Sequence, residues 1–292
     1  MPTRRNSPAP MNLADLAPGE AKAARFDIAT LDVRTVRSSR DAAFHEAYDR
    51  LWAEFGAAGE MEAKAVIERR LAWDPATPLA GLRLRYELLL ARDPARANEF
   101  AAVRDHTAIV PAAAEPHAIV HLSHVLVAPA WRGGGLAGWM RAWPIATARA
   151  CLAAAGARAD APVTLVAEME HPRADQLATM IRLRAYEKAG FMKIDPRAVR
   201  YLQPDFRPPD QIDADPAGVR PLPMGLVVRR VGRERDPGLS GREVRQVVAS
   251  LYAMYGIEFR PQDMRPVYDS LIHYPPDDAV VTLVPPTTAE AG

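Results

Sequence analysis

Three stretches of this chain hold residue types whose spacing could do chemistry: "VLVAPAWRGGGLAGWMR" (125–141), "HAIVHLSHVLVA" (117–128) and "TLVAEMEHP" (164–172). The first is a strand-like apolar run, then Pro129, Arg132 and three consecutive glycines, then a helix-like segment. Such a junction holds phosphates, because the first N–H groups of a helix are unpaired and the dipole favours an anion. Three kinds of phosphate compete. A nucleoside triphosphate loop needs G-x-x-x-x-G-K-[ST], and no Lys-Ser or Lys-Thr follows these glycines. Gly133, Gly135 and Gly138 do satisfy G-x-G-x-x-G, the dinucleotide pattern. That pattern belongs near the start of a βαβ unit, with an acidic residue about 20 positions on. Here about 100 residues of mixed character precede it, and Glu168 lies 30 residues beyond Gly138. The third kind is the diphosphate of coenzyme A.

The other two stretches carry acid–base groups. Strand alternation puts His121, Ser123 and Val125 on one face of 117–128, with Leu122, His124 and Leu126 on the other. Glu168 and Glu170 share a face of the next strand. A carboxylate, an imidazole or an ordered water on either strand could accept a proton, with Glu168 the first candidate and His124 the second. The bland alternatives are satisfied core histidines and a solvated strand end. His-x-x-His on a strand does not converge on one metal, so no metal site is expected.

These groups need elements to position them. A strand is expected at 29–37, then a helix opened by Ser38 and Asp41 as a capping box. Phe44, Tyr48, Leu51, Trp52 and Phe55 recur at helical spacing and read as core. A second helix fits "EMEAKAVIERRLAW", and strands fit 82–91, 98–110 and 117–128. The glycine turn leads into a helix to about Ala155, with a break expected near Ala142–Trp143, because Pro144 costs about 3 kcal/mol inside a helix. A strand at 161–170 and a helix from Arg173 closed by Gly190 follow, with Leu177, Met180 and Ile181 as its apolar stripe. "FMKIDPRAVRYLQ" and "MGLVVRRVG" read as the last two strands, flanking a proline-rich loop at 204–223. Val244, Val247, Val248, Leu251 and Tyr255 define a helical stripe, and a short helix fits "QDMRPVYDSLIHY". The expected architecture is a mixed α/β sheet. Residues 1–25 read as a disordered tail, 26–235 as the main domain, and 236–292 as a C-terminal helical extension whose last eight or so residues are disordered.

Composition excludes several classes. Thirty-seven Lys and Arg against 36 Asp and Glu leave a net charge of +1, so no bias points to nucleic acid or an anionic membrane. The single cysteine, Cys151, excludes an internal disulfide and reads as a packed thiol. No long apolar run or signal-like N-terminus is present, and a cytoplasmic protein is expected.

Taken from Arg132, "RGGGLA" is [Q/R]-x-x-G-x-[G/A], directly after "VLVAP". With "AYEKAGF" (185–191) following, this resembles the GNAT (GCN5-related N-acetyltransferase) superfamily, over roughly residues 30 to 231. The resemblance implies a GNAT fold whose sheet splays at a coenzyme slot, with helices on both faces. It implies acetyl-CoA as acyl donor, an amine acceptor, and direct attack of the amine on the thioester. The coenzyme would lie on Arg132, Gly133, Gly134, Gly135, Leu136 and Ala137, with its pantetheine arm along Val125, Leu126 and Val127. Tyr186 would be the acid that returns a proton to the thiolate, since a phenol near pKa 10 can donate to it. Residues 38–72 and 204–223 would wall the acceptor site, and the C-terminal helices would cover the sheet edge or make a homodimer. Many members carry an Asn about seven residues before the tyrosine, where this chain has Thr179. Two other readings stand beside this one: a GNAT-like module that binds acyl-CoA without turnover, and a nucleotide-dependent oxidoreductase.

Overall fold

The structure, a computed structural model, describes residues 12–17, 19–113, 115–171 and 176–288. The expected disorder of 1–11 and 289–292, and the expected helix start at Arg173, fall outside them. The sheet carries the site. Strands β1 (Asp32–Val36), β2 (Leu82–Asp93), β3 (Glu99–Pro111) and β4 (Ala118–Val127) form an antiparallel meander. Strand β5 (Val163–Met169) runs parallel to β4. Beyond it come β8 (Leu222–Arg230), β6 (Met192–Ile194), β10 (Val280–Val284) and β9 (Gly238–Ser240), all antiparallel, while β7 (Tyr201–Gln203) pairs with β8 off this path. Among the described residues β4–β5 is the one parallel pair, so the glycine turn and α4 lie in a single βαβ crossover late in the sheet rather than at the start of a repeated βαβ series.

Helices cover both faces, which is why β2, β3 and β4 are buried along almost their whole length, polar residues included. On one face α2 (Ala42–Leu51), α3 (Lys64–Arg70), α7 (Gly241–Gly256) and α8 (Pro261–Ser270) bury Phe44, Leu51, Ile67, Val247 and Leu251. On the other, α4 (Leu136–Ala154) and α5 (Leu177–Lys188) bury Trp139, Trp143, Ile145 and Leu183. The mixed α/β architecture is the expected one.

Several local expectations are corrected. Asp41 alone caps α2, accepting from Ala43 N–H at 2.9 Å, while Ser38 Oγ bonds Arg40 N–H at 3.1 Å, so the box does not form. Helix α2 widens into a π-helical turn at Trp52–Gly56. Helix α4 runs unbroken through Pro144. Its buried Trp139, Trp143 and Ile145 contribute about 1.5–3 kcal/mol each, which offsets the proline. In α5, Leu177 and Ile181 face solvent (70% and 58% exposed), while Thr179, Leu183 and Tyr186 are buried. Gly190 does close α5, at φ +78°. The stretch 191–203 splits into β6 and β7 around a turn where Arg197 grips Asp195. The loop 204–223 holds α6 (Pro209–Ala214). The C-terminal residues supply strands as well as helices, with β10 extending the sheet from β6. Residues 12–17 and 19–25 are ordered, with a helical turn at Leu13–Asp15 and α1 (Ala21–Ala24).

Candidate active site

The slot opens where two strands part. Strands β4 and β5 pair from Ala118↔Val163 to His121↔Val166 and no further. Strand β5 stays with β8, through Glu168↔Leu226 and Met169↔Gly225, and β4 stays with β3. On β4 a bulge sits at the mouth: Asp105 pairs with His124 and Thr107 with His121, two steps on β3 against three on β4. The extra residue breaks strict alternation. His121, Ser123, His124 and Val125 therefore all line one cleft, facing Glu168, Met169 and Glu170, and the expected separation of the two histidines is wrong.

Glu168 is the hub of a buried network. Its Oε2 lies 3.0 Å from His121 Nε2 and accepts from the Tyr255 hydroxyl at 2.9 Å, and its Oε1 accepts from the Tyr201 hydroxyl. Burial would raise this carboxyl, but the three partners outweigh it and hold it below its ordinary value. The proton on His121 is then assigned to Nε2, leaving Nδ1 to accept from Ser123 Oγ at 3.1 Å. The chain Ser123–His121–Glu168 has the logic of an activated hydroxyl: a base oriented by a carboxylate. Sequence reasoning missed Tyr201 and Tyr255. The signal was there, because a buried tyrosine hydroxyl normally finds a partner.

His124 is a different histidine. Its Nδ1 meets Asp105 at 3.0 Å and its Nε2 meets the Glu60 carbonyl at 2.9 Å, so both ring nitrogens face acceptors. Burial would lower it, but Asp105 outweighs burial and pushes it up to about 9. Tyr86 donates to the other Asp105 oxygen at 3.0 Å. Phe55 packs against the core and also lines the cleft, with its ring 4.9 Å from that of His124, while Trp52 is exposed. At the rim, Glu170 accepts from Thr179 Oγ1 at 2.9 Å and from Arg182 at 2.5 Å. Thr179 thus ties α5 to the end of β5. Burial, then Glu170 beside it, raises the Glu60 carboxyl.

Beyond the cleft, β4 runs on to the glycine turn. Leu126 and Val127 pair with β3 on one edge and, among the described residues, with no strand on the other. Arg132 Nε donates to the Val127 carbonyl at 2.9 Å, fixing the turn. Among the described residues no backbone carbonyl takes the N–H groups of Gly133, Gly134, Gly135, Leu136 or Ala137. Positive φ at Gly133 (+76°) and Gly135 (+115°) shapes the turn, and nothing lies within 4 Å of where a Gly133 Cβ would stand. Unpaired amides over a concave turn fit a diphosphate. Tyr186 lies between this turn and the cleft, 4% exposed, edge-on to Phe191 at 4.9 Å and under Arg141 at 5.7 Å. Arg104, wholly buried on β3, faces the Tyr186 hydroxyl but makes no well-aligned hydrogen bond among the described residues. Burial pulls that guanidinium below its ordinary value, against Tyr186 and Asp105.

No protein-family pattern matches the chain, and no curated protein is similar to it. Solved structures are similar in fold. One is the GCN5-related glucosamine N-acetyltransferase region of a fungal multi-domain GH3 β-N-acetylglucosaminidase, at 15% identity and TM-score 0.39 over 63% of this chain and 20% of that one. Another is a GNAT-family protein from Desulfovibrio desulfuricans, at 16% identity and TM-score 0.36 over 69% of this chain and 99% of that one. A third is an acetyltransferase from Streptococcus agalactiae, at 10% identity and TM-score 0.35 over 69% and 98%.

Proposed function

We propose that this chain, with its GNAT-like splayed sheet, is an acyl-CoA-dependent N-acyltransferase, moving acetyl from acetyl-CoA to a primary amine of a small molecule or peptide. The observation that carries this is the order of three features along β4 and the turn after it: an acid–base network in the cleft at His121–Val125, a strand edge left by β5 at Leu126–Val127, then amides with no backbone partner at Gly133–Ala137. The diphosphate rests on the turn, the pantetheine amides follow β4, and the thioester comes to Tyr186.

His121 takes the role of base. Glu168 is bound by three partners and stays anionic, so it orients His121 rather than accepting a proton itself. His124 is held as a cation by Asp105, which leaves it no lone pair to use. The acceptor enters as an ammonium, and the carboxylates at the cleft favour that charge. Its proton passes to His121 Nδ1 through the Ser123 hydroxyl, and the nitrogen attacks the thioester carbonyl. The C–N bond forms and the C–S bond breaks, the thiolate takes the Tyr186 proton, and the second proton that leaves the nitrogen as the amide forms restores Tyr186 by way of solvent, while His121 gives its proton to solvent. Each such proton transfer is worth about 10²–10⁴-fold. Oriented attack in a ternary complex adds to it.

The test is release of free thiol from acetyl-CoA across a panel of primary amines. Amine-dependent release is expected. Coenzyme binding with no release for any amine would move the chain to the non-catalytic reading.

A further inference from the structure

The groove between α4 and α5 is covered by the chain itself. The segment leading to Arg25 runs along it, beginning with Asp15, which Arg149 grips through two bonds of 2.7 Å. A Cβ on Gly19 would stand 2.0 Å from the Lys188 carbonyl oxygen, so the segment is pressed onto the end of α5. At the glycine turn the approach is closest. The Lys22 carbonyl oxygen lies 2.5 Å from where a Gly135 Cβ would be, and Glu20 Oε1 lies 2.7 Å from the Gly138 position. Lys22 Nζ donates to the Gly133 carbonyl at 3.2 Å. The space that glycines give a ligand is taken, at Gly135 and Gly138, by this segment.

Glu20 stands out within it. Its side chain is 4% exposed, and Oε1 accepts from Arg141 at 3.0 and 2.5 Å. Oε2 is buried with no donor among the described residues. A buried anion with one bare oxygen, against the first turn of a 19-residue helix, sits where that turn would hold another anion. Arg141 reaches from there to the ring of Tyr186, joining the turn to the reacting centre.

We propose that the segment ending at Arg25 is an internal cover of the coenzyme groove, with Glu20 in the diphosphate position and Arg141 a coenzyme-binding residue that exchanges Glu20 for a phosphate when the cover leaves. The proposal rests on the acyl-CoA reading above. A closed cover lowers apparent affinity by the fraction of molecules that are open, and the ligand shifts that fraction by binding the open form alone.

Calorimetric titration of the full chain with free coenzyme A tests it, comparing the parent with Glu20→Gln, Arg141→Gln and the double variant. Gln keeps the shape of Glu20, so the fold survives. If about a tenth of the parent is open, Glu20→Gln binds about tenfold tighter. Arg141→Gln weakens binding in the Glu20→Gln background, where no closed cover is left for it to release. In the parent, amide exchange of residues 19–25 speeds up when coenzyme A is added. Unchanged or weaker binding by Glu20→Gln, or slower exchange at 19–25, overturns the cover and makes the segment a wall of the site, with acyl-CoA binding intact. No binding by any variant overturns the acyl-CoA reading and the cover with it.

Discussion

Two arginines are wholly buried, one on each face of the sheet, and they are held very differently. Arg70, on α3, lies 2.6 Å from Glu62, and its guanidinium stands over the rings of Trp73 and Tyr255 at 5.5 and 5.6 Å. The alignment is that of an ion pair rather than a hydrogen bond. Burial would lower Arg70, but Glu62 and Tyr255 outweigh it and keep it above its ordinary value. Arg104, on β3, has no carboxylate within ion-pair distance among the described residues, and burial wins. On the α3 side the buried cation thus has its counter-ion. On the α4 side, among the described residues, Arg104 has no carboxylate partner, five amides of the glycine turn meet no backbone carbonyl, and Glu20 keeps one oxygen without a donor. Buried polar groups left unmet in this way call for a reason besides stability.

Arg70→Met should have the largest effect on stability, because it strands Glu62 as a buried, unpaired anion. A loss of about 3–5 kcal/mol is expected in urea unfolding. A loss under about 1 kcal/mol would show that the pair is no keystone, and the contrast would fail on that side. Tyr186→Phe comes next. Turnover should fall about a hundredfold, with coenzyme affinity nearly unchanged in the same calorimetric titration. Equal loss of both would make Tyr186 a packing residue.

A smaller effect follows from His124. Its folded value of about 9 lies above the ordinary 6.5, so its contribution to stability is fully present below about pH 6.5. That contribution is lost as pH rises through about 9. Urea midpoints of the parent should fall across this window, and those of His124→Gln should fall less. A parent curve that rises across it would mean His124 is neutral. Arg104→Met should change least, staying within about 1 kcal/mol of the parent, because no buried carboxylate is stranded. Turnover, rather than stability, is the quantity it should lower.

Much of the frame was legible in the sequence for physical reasons. Strands β2 to β5 announced themselves as strand-like runs rich in branched apolar residues, and "RGGGLA" after "VLVAP" placed the turn. Thr179 and Tyr186 lay one above the other on α5, as their spacing of seven implies. What stayed hidden depended on long-range contacts. The bulge that brings His124 beside His121 leaves no trace in alternation. Tyr201 and Tyr255 meet Glu168 from sequence distances of 33 and 87 residues. Residues 12–25 look like tail by composition, yet Asp15 and Glu20 find Arg149 and Arg141 more than 100 positions away. Pro144 was misread because tertiary burial outweighs local propensity.

Thermal denaturation of the full chain with saturating acetyl-CoA, and separately with NADH, tests the central claim most directly. A ligand at 100 times its Kd stabilises the folded state by about 2.7 kcal/mol, a readily measured rise in Tm. The account predicts that rise with acetyl-CoA and none with NADH. A rise with NADH alone would contradict it, and return the three glycines to a dinucleotide.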